Sequence, residues 1–221
     1  MQPTDPTYPA PAAYPVNFAV AYPDRPLNRL TSFFRLFMVI PIVILLGTVY
    51  SGGAEWGQWG GDDGSGAQNV AYGFGGVLFF GPLLMILFRK KYPRWWFDWN
   101  LELQRFANRV TVYFALMDDR YPATDDHQSV RLDYEYPGGT LNRFLPIVKW
   151  LLAIPHYIVL FFLHIGGVVA VVIAWFAILF TGRYPRGLFT YVEGLLRWQN
   201  RVTAYALTLA TDRYPPFRLA P

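Results

Sequence analysis

The sequence predicts an all-α integral membrane protein in which four transmembrane helices form two tandem hairpins. Each hairpin follows a short N-terminal cytoplasmic strand and precedes a C-terminal amphipathic interfacial helix. Three observations carry this prediction. Only 15% of the 221 residues are charged, against about a quarter in soluble proteins. Asp, Glu, Lys and Arg are absent from the windows 36–54, 64–88 and 150–182. The first and second halves of the chain also resemble each other in sequence, which predicts two related units.

The charge-free windows set the number of predicted spans. A transmembrane helix needs about 20 apolar residues, so windows 36–54 and 64–88 each predict one span. Window 150–182 is too long for one ordinary span and carries Gly166 and Gly167 near its middle. We expect two short spans with a tight turn at these glycines. One long tilted helix is the alternative.

The basic residues set the predicted orientation. All 19 lie within 1–35, 89–149 or 183–221, and the loop 51–71 has none. Because cytoplasmic loops are enriched in Lys and Arg, we expect both chain termini in the cytoplasm and the loop 51–71 outside. The first 15 residues lack the pattern of a signal peptide and are rich in Pro. They predict an extended or disordered segment.

The internal repeat divides the chain. AYPDRPLNRL (21–30) matches EYPGGTLNRF (135–144) at an offset of 114, whereas NRVT (108–111) matches NRVT (200–203) at an offset of 92. The difference predicts a 22-residue insertion in the outer loop of the first unit. The predicted divisions are a Pro-rich disordered N-terminus (1–15), unit 1 (16–122), a linker (123–129), unit 2 (130–217) and a tail (218–221).

Each unit has the same elements around its spans. Alternating apolar residues predict strands that pair with each other; they are Val16, Phe18, Val20 and Tyr22, and Val130, Leu132, Tyr134 and Tyr136. Apolar residues at helical spacing in 95–117 and 188–209 predict amphipathic helices. These helices suit the membrane interface or pack on the strands, and both can hold together. The predicted interfacial anchors are Trp96, Trp99, Tyr191 and Trp198.

Four segments carry a family resemblance. LNRFLPIVKWLLAIPHYIVLFFL, TGRYPRGLF, LRWQNRVTAYALTL and TDRYPPF resemble the bacterial membrane proteins grouped as domain of unknown function 4389. The resemblance covers nearly the whole chain and is strongest over 130–217, with the first half a degenerate copy. It implies an integral membrane protein of bacteria. It brings no activity and no catalytic residues.

A basic cluster at the cytoplasmic span ends is the strongest candidate surface. Basic residues there control topology, snorkel or bind anionic lipid headgroups. We expect headgroup contacts at Arg89, Lys90, Lys91, Arg94, Arg183 and Arg186. The net charge of +4 does not predict nucleic-acid binding, because the basic residues follow the span ends.

Three further sets fall within the predicted spans. Pro41 and Pro155 occupy equivalent positions and predict helix kinks. Gly166, Ala170 and Ala174 form a small-residue stripe that permits close helix packing. His156 and His164 are the ionisable side chains of the third window. Eight residues apart on one helix, they lie about 12 Å apart, too far to share a metal ion. We expect them to be hydrogen-bonded, unless a partner subunit supplies a ligand.

No catalytic, cofactor-binding or metal-binding constellation is predicted. The chain has no Cys and no Walker, zinc or G-x-S-x-G motif. The leading hypothesis is a non-enzymatic accessory or scaffold subunit of a bacterial inner-membrane complex. Its expected partners are membrane lipids and other proteins or further copies of the chain. Lipid handling or passage of a small solute between the two units is the alternative, and an enzyme acting on lipids ranks third.

Overall fold

The computed structural model describes residues 14–51, 74–89, 92–123, 128–137, 141–142 and 144–221. These residues form two strands and six helices. In chain order the elements are β1 (Val16–Val20), α1 (Arg29–Ser51), α2 (Phe74–Arg89), α3 (Arg94–Phe114), β2 (Val130–Tyr134), α4 (Leu145–Leu152), α5 (Ile154–Thr181) and α6 (Arg186–Ala206).

The predicted hairpin in the second unit is wrong, because α5 is one continuous helix. It runs for 28 residues, straight through Gly166 and Gly167, so this part of the chain is one long helix without a turn at the glycines. A Cβ at Gly166 would lie 2.7 Å from the Tyr191 hydroxyl, and one at Gly167 would lie 2.7 Å from Cδ2 of Leu195. The two glycines therefore give close approach to α6 rather than a turn.

The predicted count of four transmembrane helices is not supported either. Among the described residues, one segment is long and apolar enough to cross a membrane, and it is Leu145–Thr181.

The ends of α1 and α2 agree with the predicted insertion. At an offset of 114 the last residue of α1, Ser51, corresponds to Ile165, and at an offset of 92 the first residue of α2, Phe74, corresponds to Gly166. Ile165 and Gly166 are consecutive inside α5. Helices α1 and α2 thus correspond to parts of the continuous α4–α5 segment, and the inserted residues lie outside the described part of the chain.

The two strands form as predicted and pair antiparallel. The register joins Val16 to Tyr134, Phe18 to Leu132 and Val20 to Val130. In β1 the burial alternates along the strand, as a half-buried strand requires. The predicted strands extended to Tyr22 and Tyr136, but both residues lie beyond the sheet.

Most of the described elements form three layers, and α2 packs beside them on α1 and α4. The first, which we call the apolar layer, consists of α1, α4 and α5. Helices α3 and α6 form the middle layer: Val39 and Ile42 of α1 pack on Val110 and Tyr113 of α3, and Leu160 of α5 belongs to a buried cluster with residues of α6. The sheet is the third layer, with β1 against α6 and β2 against α3.

Helix α6 is not an exposed interfacial helix. Its apolar side packs on α5, and its charged side is covered by strand β1 and the C-terminal tail. Nε of Arg197 donates to the Phe18 carbonyl at 3.0 Å, and Nη2 of Arg201 donates to the Ala220 carbonyl at 3.0 Å. The alternative prediction, a helix packed on the strands, holds for α6.

The chain termini are more ordered than expected where the structure describes them. Tyr14, inside the segment predicted to be disordered, is buried, and its hydroxyl donates to the Arg213 carbonyl at 2.9 Å. Residues 1–13 lie outside the described part. The tail 218–221 closes over α6 through Arg201.

Candidate functional site

The outer face of α5 is a continuous apolar surface. The helix contains no charged residue, and its large apolar side chains recur on one face at spacings of mainly three and four. Over 28 residues this face is about 42 Å long. The most exposed side chains are Ile158, Phe161, Phe162, Ile165, Val168, Val169, Ile173, Phe176 and Phe180.

Helices α1 and α4 extend this surface. Exposed apolar side chains on α1 are Leu30, Phe33, Phe34, Phe37, Met38, Ile40, Val43 and Ile44, and those on α4 are Ile147, Val148, Trp150, Leu151 and Leu152. Two cations, Arg35 of α1 and Lys149 of α4, do not interrupt it. Arg35 is 1% exposed and Lys149 is fully buried, because both point inward. We call this exposed face of α1, α4 and α5 the apolar surface.

Arg35 anchors α1 to the end of α3. It forms an ion pair with Asp119 and donates through Nη1 to the Asp118 carbonyl at 2.9 Å. Its guanidinium also lies 4.4 Å from the centroid of the Tyr113 ring. The Asp119 carboxylate is bound on its other oxygen by the backbone N–H of Asn28 at 2.8 Å.

Lys149 makes the corresponding contacts in the second unit. Its Nζ lies 2.6 Å from Oδ1 of Asp212, donates to the Thr211 carbonyl at 2.7 Å, and lies 5.3 Å from the Tyr205 ring centroid. The backbone N–H of Asn142 donates to the same carboxylate at 2.5 Å. Each contact falls at the repeat offset from its counterpart around Arg35. The two anchors are therefore equivalent in the two predicted units.

A buried amide pair joins the two middle helices. Nδ2 of Asn108 donates to Oδ1 of Asn200 at 2.8 Å, and Nδ2 of Asn200 donates to Oδ1 of Asn108 at 2.7 Å. The two residues are equivalent at an offset of 92. The units also exchange contacts, since Tyr22 donates to the Tyr184 carbonyl at 2.5 Å.

Charged side chains of α6 under the sheet are bound by neighbouring groups of the protein. The Glu193 carboxylate lies 2.5 Å from Nη2 of Arg197 and accepts a bond from the Val20 backbone N–H at 3.3 Å. Burial raises the pKa of Glu193, and both contacts oppose that rise. Burial, with Arg197 nearby, lowers the pKa of Arg201 to about 10, so Arg201 is a cation at neutral pH.

The predicted headgroup residues lie at exposed positions where the structure describes them. Arg89, Arg94, Arg183 and Arg186 are exposed, whereas Lys90 and Lys91 lie outside the described residues. Arg94 and Arg186 are the first residues of α3 and α6, and their guanidinium groups face Tyr136 at 5.6 Å and Tyr22 at 5.1 Å.

The predicted interfacial anchors occupy different environments. Trp99 is exposed, and Trp96 and Tyr191 are half-buried. Trp198 is 4% exposed, so its prediction as an anchor is wrong. Its indole faces α5 inside the protein, where Nε1 donates to Nδ1 of His156 at 3.1 Å.

The two histidines of α5 are held by hydrogen bonds. His156 is fully buried and stacks on Phe217 with a centroid distance of 3.9 Å. The ring nitrogens of His164 lie 2.7 Å from the Leu160 carbonyl and 3.0 Å from Oε1 of Gln199. No group of three His, Cys, Asp or Glu side chains that could hold a metal occurs in the described residues.

The prolines and the small-residue stripe have structural positions. Helix α1 continues through Pro41, whereas Pro155 lies in the first turn of α5, after the break at Ala153. The break lies two residues before Pro155, within the segment Leu145–Thr181. Ala170 and Ala174 are buried in a cluster that includes residues of α6. The stripe with Gly166 therefore packs within the chain.

The sequence prediction missed the anchors at Arg35 and Lys149. A signal was present, because these two cations occupy equivalent positions at the border of otherwise apolar segments. The two DRYP motifs, which contain Asp119 and Asp212, are equivalent as well. Joining each cation to its aspartate requires the fold, since 84 and 63 residues separate them in the chain.

Comparison with known proteins gives one family match. Residues 146–218 match the model of a family described as a domain of unknown function, DUF4389. The matched segment begins in α4 and ends in the C-terminal tail, so it contains α5, α6 and the Lys149 anchor. No curated protein and no solved structure matches the chain.

Proposed function

We propose that this chain is a non-enzymatic accessory or scaffold subunit of a larger complex in the bacterial cytoplasmic membrane. Both termini lie on the cytoplasmic side, and the basic cluster contacts lipid headgroups there. The proposal keeps the membrane location and orientation expected from the sequence. It does not keep the four transmembrane helices.

The apolar surface is the observation that carries this proposal. Soluble monomers rarely expose a contiguous apolar patch larger than a few hundred Å², and larger patches mark membrane or protein contacts. Here such a patch runs the length of α5 and continues over α1 and α4. Lipid tails cover such a surface without removing water from polar groups, because its exposed side chains are apolar.

The buried polar groups support a scaffold rather than an enzyme. Arg35 and Lys149 fasten the apolar layer to the middle layer, and Arg197 fastens α6 to β1. Asn108 and Asn200 join the two units. Each of these groups is engaged with the protein itself, which rigidifies a platform whose sheet side remains available to other proteins.

The basic cluster supports a contact with anionic lipids. A Lys or Arg near a membrane surface contributes about 1 kcal/mol to binding, so four exposed arginines together contribute appreciably. The alternative, a path for lipid or solute between the two units, has less support. The contact between the units is closed at α3 and α6 by the reciprocal amide pair.

Purification from native membranes tests both parts of the proposal. The tagged chain is extracted in native nanodiscs, and bound proteins and lipids are identified. We expect a reproducible protein partner or a homo-oligomer, and enrichment of anionic lipid. A variant with Arg89, Arg94, Arg183 and Arg186 changed to Gln should lose the lipid enrichment and keep the protein partner. A lone monomer with bulk lipid composition contradicts the proposal.

A further inference from the structure

We infer that α5 lies within one leaflet, parallel to the membrane plane, with both of its ends on the cytoplasmic side. The partner of the apolar surface is thus a single lipid leaflet. This inference rests on the membrane location in the proposed function and adds how the chain enters the bilayer. In this arrangement α5 does not cross the bilayer. It lies parallel to the membrane plane, with its exposed face towards the lipid tails.

The first step is that α6 packs against α5 from His156 to Gly167. The two helices run antiparallel in contact: His156 meets Trp198 at 3.1 Å, and the Leu163 carbonyl accepts the Tyr191 hydroxyl at 2.9 Å. A Cβ at Gly167 would lie 2.7 Å from Cδ2 of Leu195 of α6. Any depth reached by this part of α5 in the bilayer is therefore shared by a neighbouring stretch of α6.

The second step is that the sheet lies on the far side of α6. The Phe18 carbonyl and the Val20 N–H of β1 bind Arg197 and Glu193 of α6. The sheet has only two strands among the described residues, and open sheet edges do not occur in lipid-exposed hydrocarbon. If α5 crossed the membrane upright, this sheet would enter the hydrocarbon beside α6.

Charged residues on the sheet side strengthen this step. The side chains of Glu102, Arg131 and Asp133 are 60%, 50% and 41% exposed. They lie on α3 and β2, in the layers away from the apolar surface. Ionised side chains are rare in the hydrocarbon and face interiors or water-filled cavities there. The layers therefore separate an apolar side from a charged side, and the membrane plane runs parallel to them.

The third step concerns the ends of the α4–α5 segment. Before α5, Lys149 is tied to Asp212, and the Leu152 carbonyl accepts the Tyr214 hydroxyl at 3.2 Å. After α5, the Gly182 carbonyl accepts the backbone N–H of Leu27 at 2.9 Å. Both ends thus return to segments that carry exposed charges, including Arg183. A helix anchored in this way presents one long side to lipid, as interfacial helices do.

Cysteine labelling tests the inference, because the chain has no natural Cys. Single variants Phe144→Cys and Arg183→Cys flank the α4–α5 segment at exposed positions. We expect both to react with a membrane-impermeant maleimide in inside-out vesicles and neither to react in intact spheroplasts. Val168→Cys, in the middle of the exposed face, should be protected from both sides. Glu135→Cys, on the sheet side, is the control for the cytoplasmic face.

The outcomes separate the inference from the proposed function. Reaction of either flanking cysteine from the outer side, in a membrane-bound chain, overturns the inference alone and indicates a crossing helix. Reaction of Val168→Cys from the outer side also overturns it, because the middle of α5 would then reach the outer surface. A chain recovered outside the membrane fraction overturns both the inference and the proposed function.

Discussion

Replacing Lys149 by Met will lower the free energy of unfolding by about 3–5 kcal/mol, the cost of breaking a buried ion pair by removing one partner. Lys149 is fully buried and binds both Asp212 and the Thr211 carbonyl. The variant leaves the Asp212 carboxylate without its cation and frees the end of α6 from α4. Denaturation in a mild detergent, followed by tryptophan fluorescence, measures the change.

Two further variants identify the source of this loss. In Lys149→Met with Asp212→Asn no charge is left without its partner, so we expect the double variant to recover at least half of the lost stability. Arg35→Met removes the equivalent cation of the first unit and should cost a similar amount. If Lys149→Met costs less than about 1 kcal/mol, in the range of an exposed pair, the anchor does not hold the layers together.

Placing charge on the outer face of α5 will release the chain from membranes. Phe161, Val168 and Phe176 are 62%, 65% and 50% exposed, so changing all three to Glu leaves the fold in place. Each change removes the favourable free energy of transferring an apolar side chain into lipid, about 1.5–3 kcal/mol. We expect the partition coefficient onto lipid vesicles to fall by at least about a thousandfold, since 1.4 kcal/mol is a factor of ten. Vesicle flotation measures it.

A matched variant separates polarity from shape. Changing the same three residues to Leu alters the side chains but keeps the face apolar, so flotation should remain close to that of the parent chain. Circular dichroism should show the same helix content in both variants. A Glu variant that floats with vesicles as the parent does would show that another surface holds the chain to lipid.

Local patterns predicted the strands and the amphipathic helices but not the course of α5. The alternation in Val16, Phe18 and Val20 specifies a half-buried strand wherever it occurs. Gly166 and Gly167 are ambiguous, because a glycine pair suits a turn and also suits close helix contact. The neighbours that distinguish the two cases, Tyr191 and Leu195, lie in another helix. The fold alone brings them together.

The repeat was informative and also misleading. Its offsets relate α1 and α2 to parts of the α4–α5 segment, and they place an insertion between Ser51 and Phe74. The match of a two-span first unit to the second predicted that both units are hairpins. In the second unit the equivalent residues are consecutive, so the helix continues. The second unit, which lacks the insertion, therefore has one continuous helix where the first unit has α1 and α2.

The environment of α6 could not be predicted from its amphipathic pattern. An apolar stripe opposite Glu193, Arg197 and Arg201 is typical of a helix between lipid and water. It equally suits a helix between an apolar layer and strand carbonyls, where the arginines bind Phe18 and the C-terminal tail. The periodicity of the sequence shows that the two faces of α6 differ in polarity. It does not show what each face packs on, because those partners lie in distant segments of the chain.

A depth profile along α5 tests the membrane arrangement most directly. Spin labels at Phe161→Cys, Val168→Cys and Phe176→Cys, in the chain reconstituted in bilayers, report depth through their accessibility to oxygen and to a water-soluble relaxation agent. A helix in the plane of one leaflet places all three labels at the same depth to within a few Å, roughly 5–10 Å below the headgroup boundary. A crossing helix would spread the first and last labels by about 22 Å in depth, and that result would contradict the arrangement.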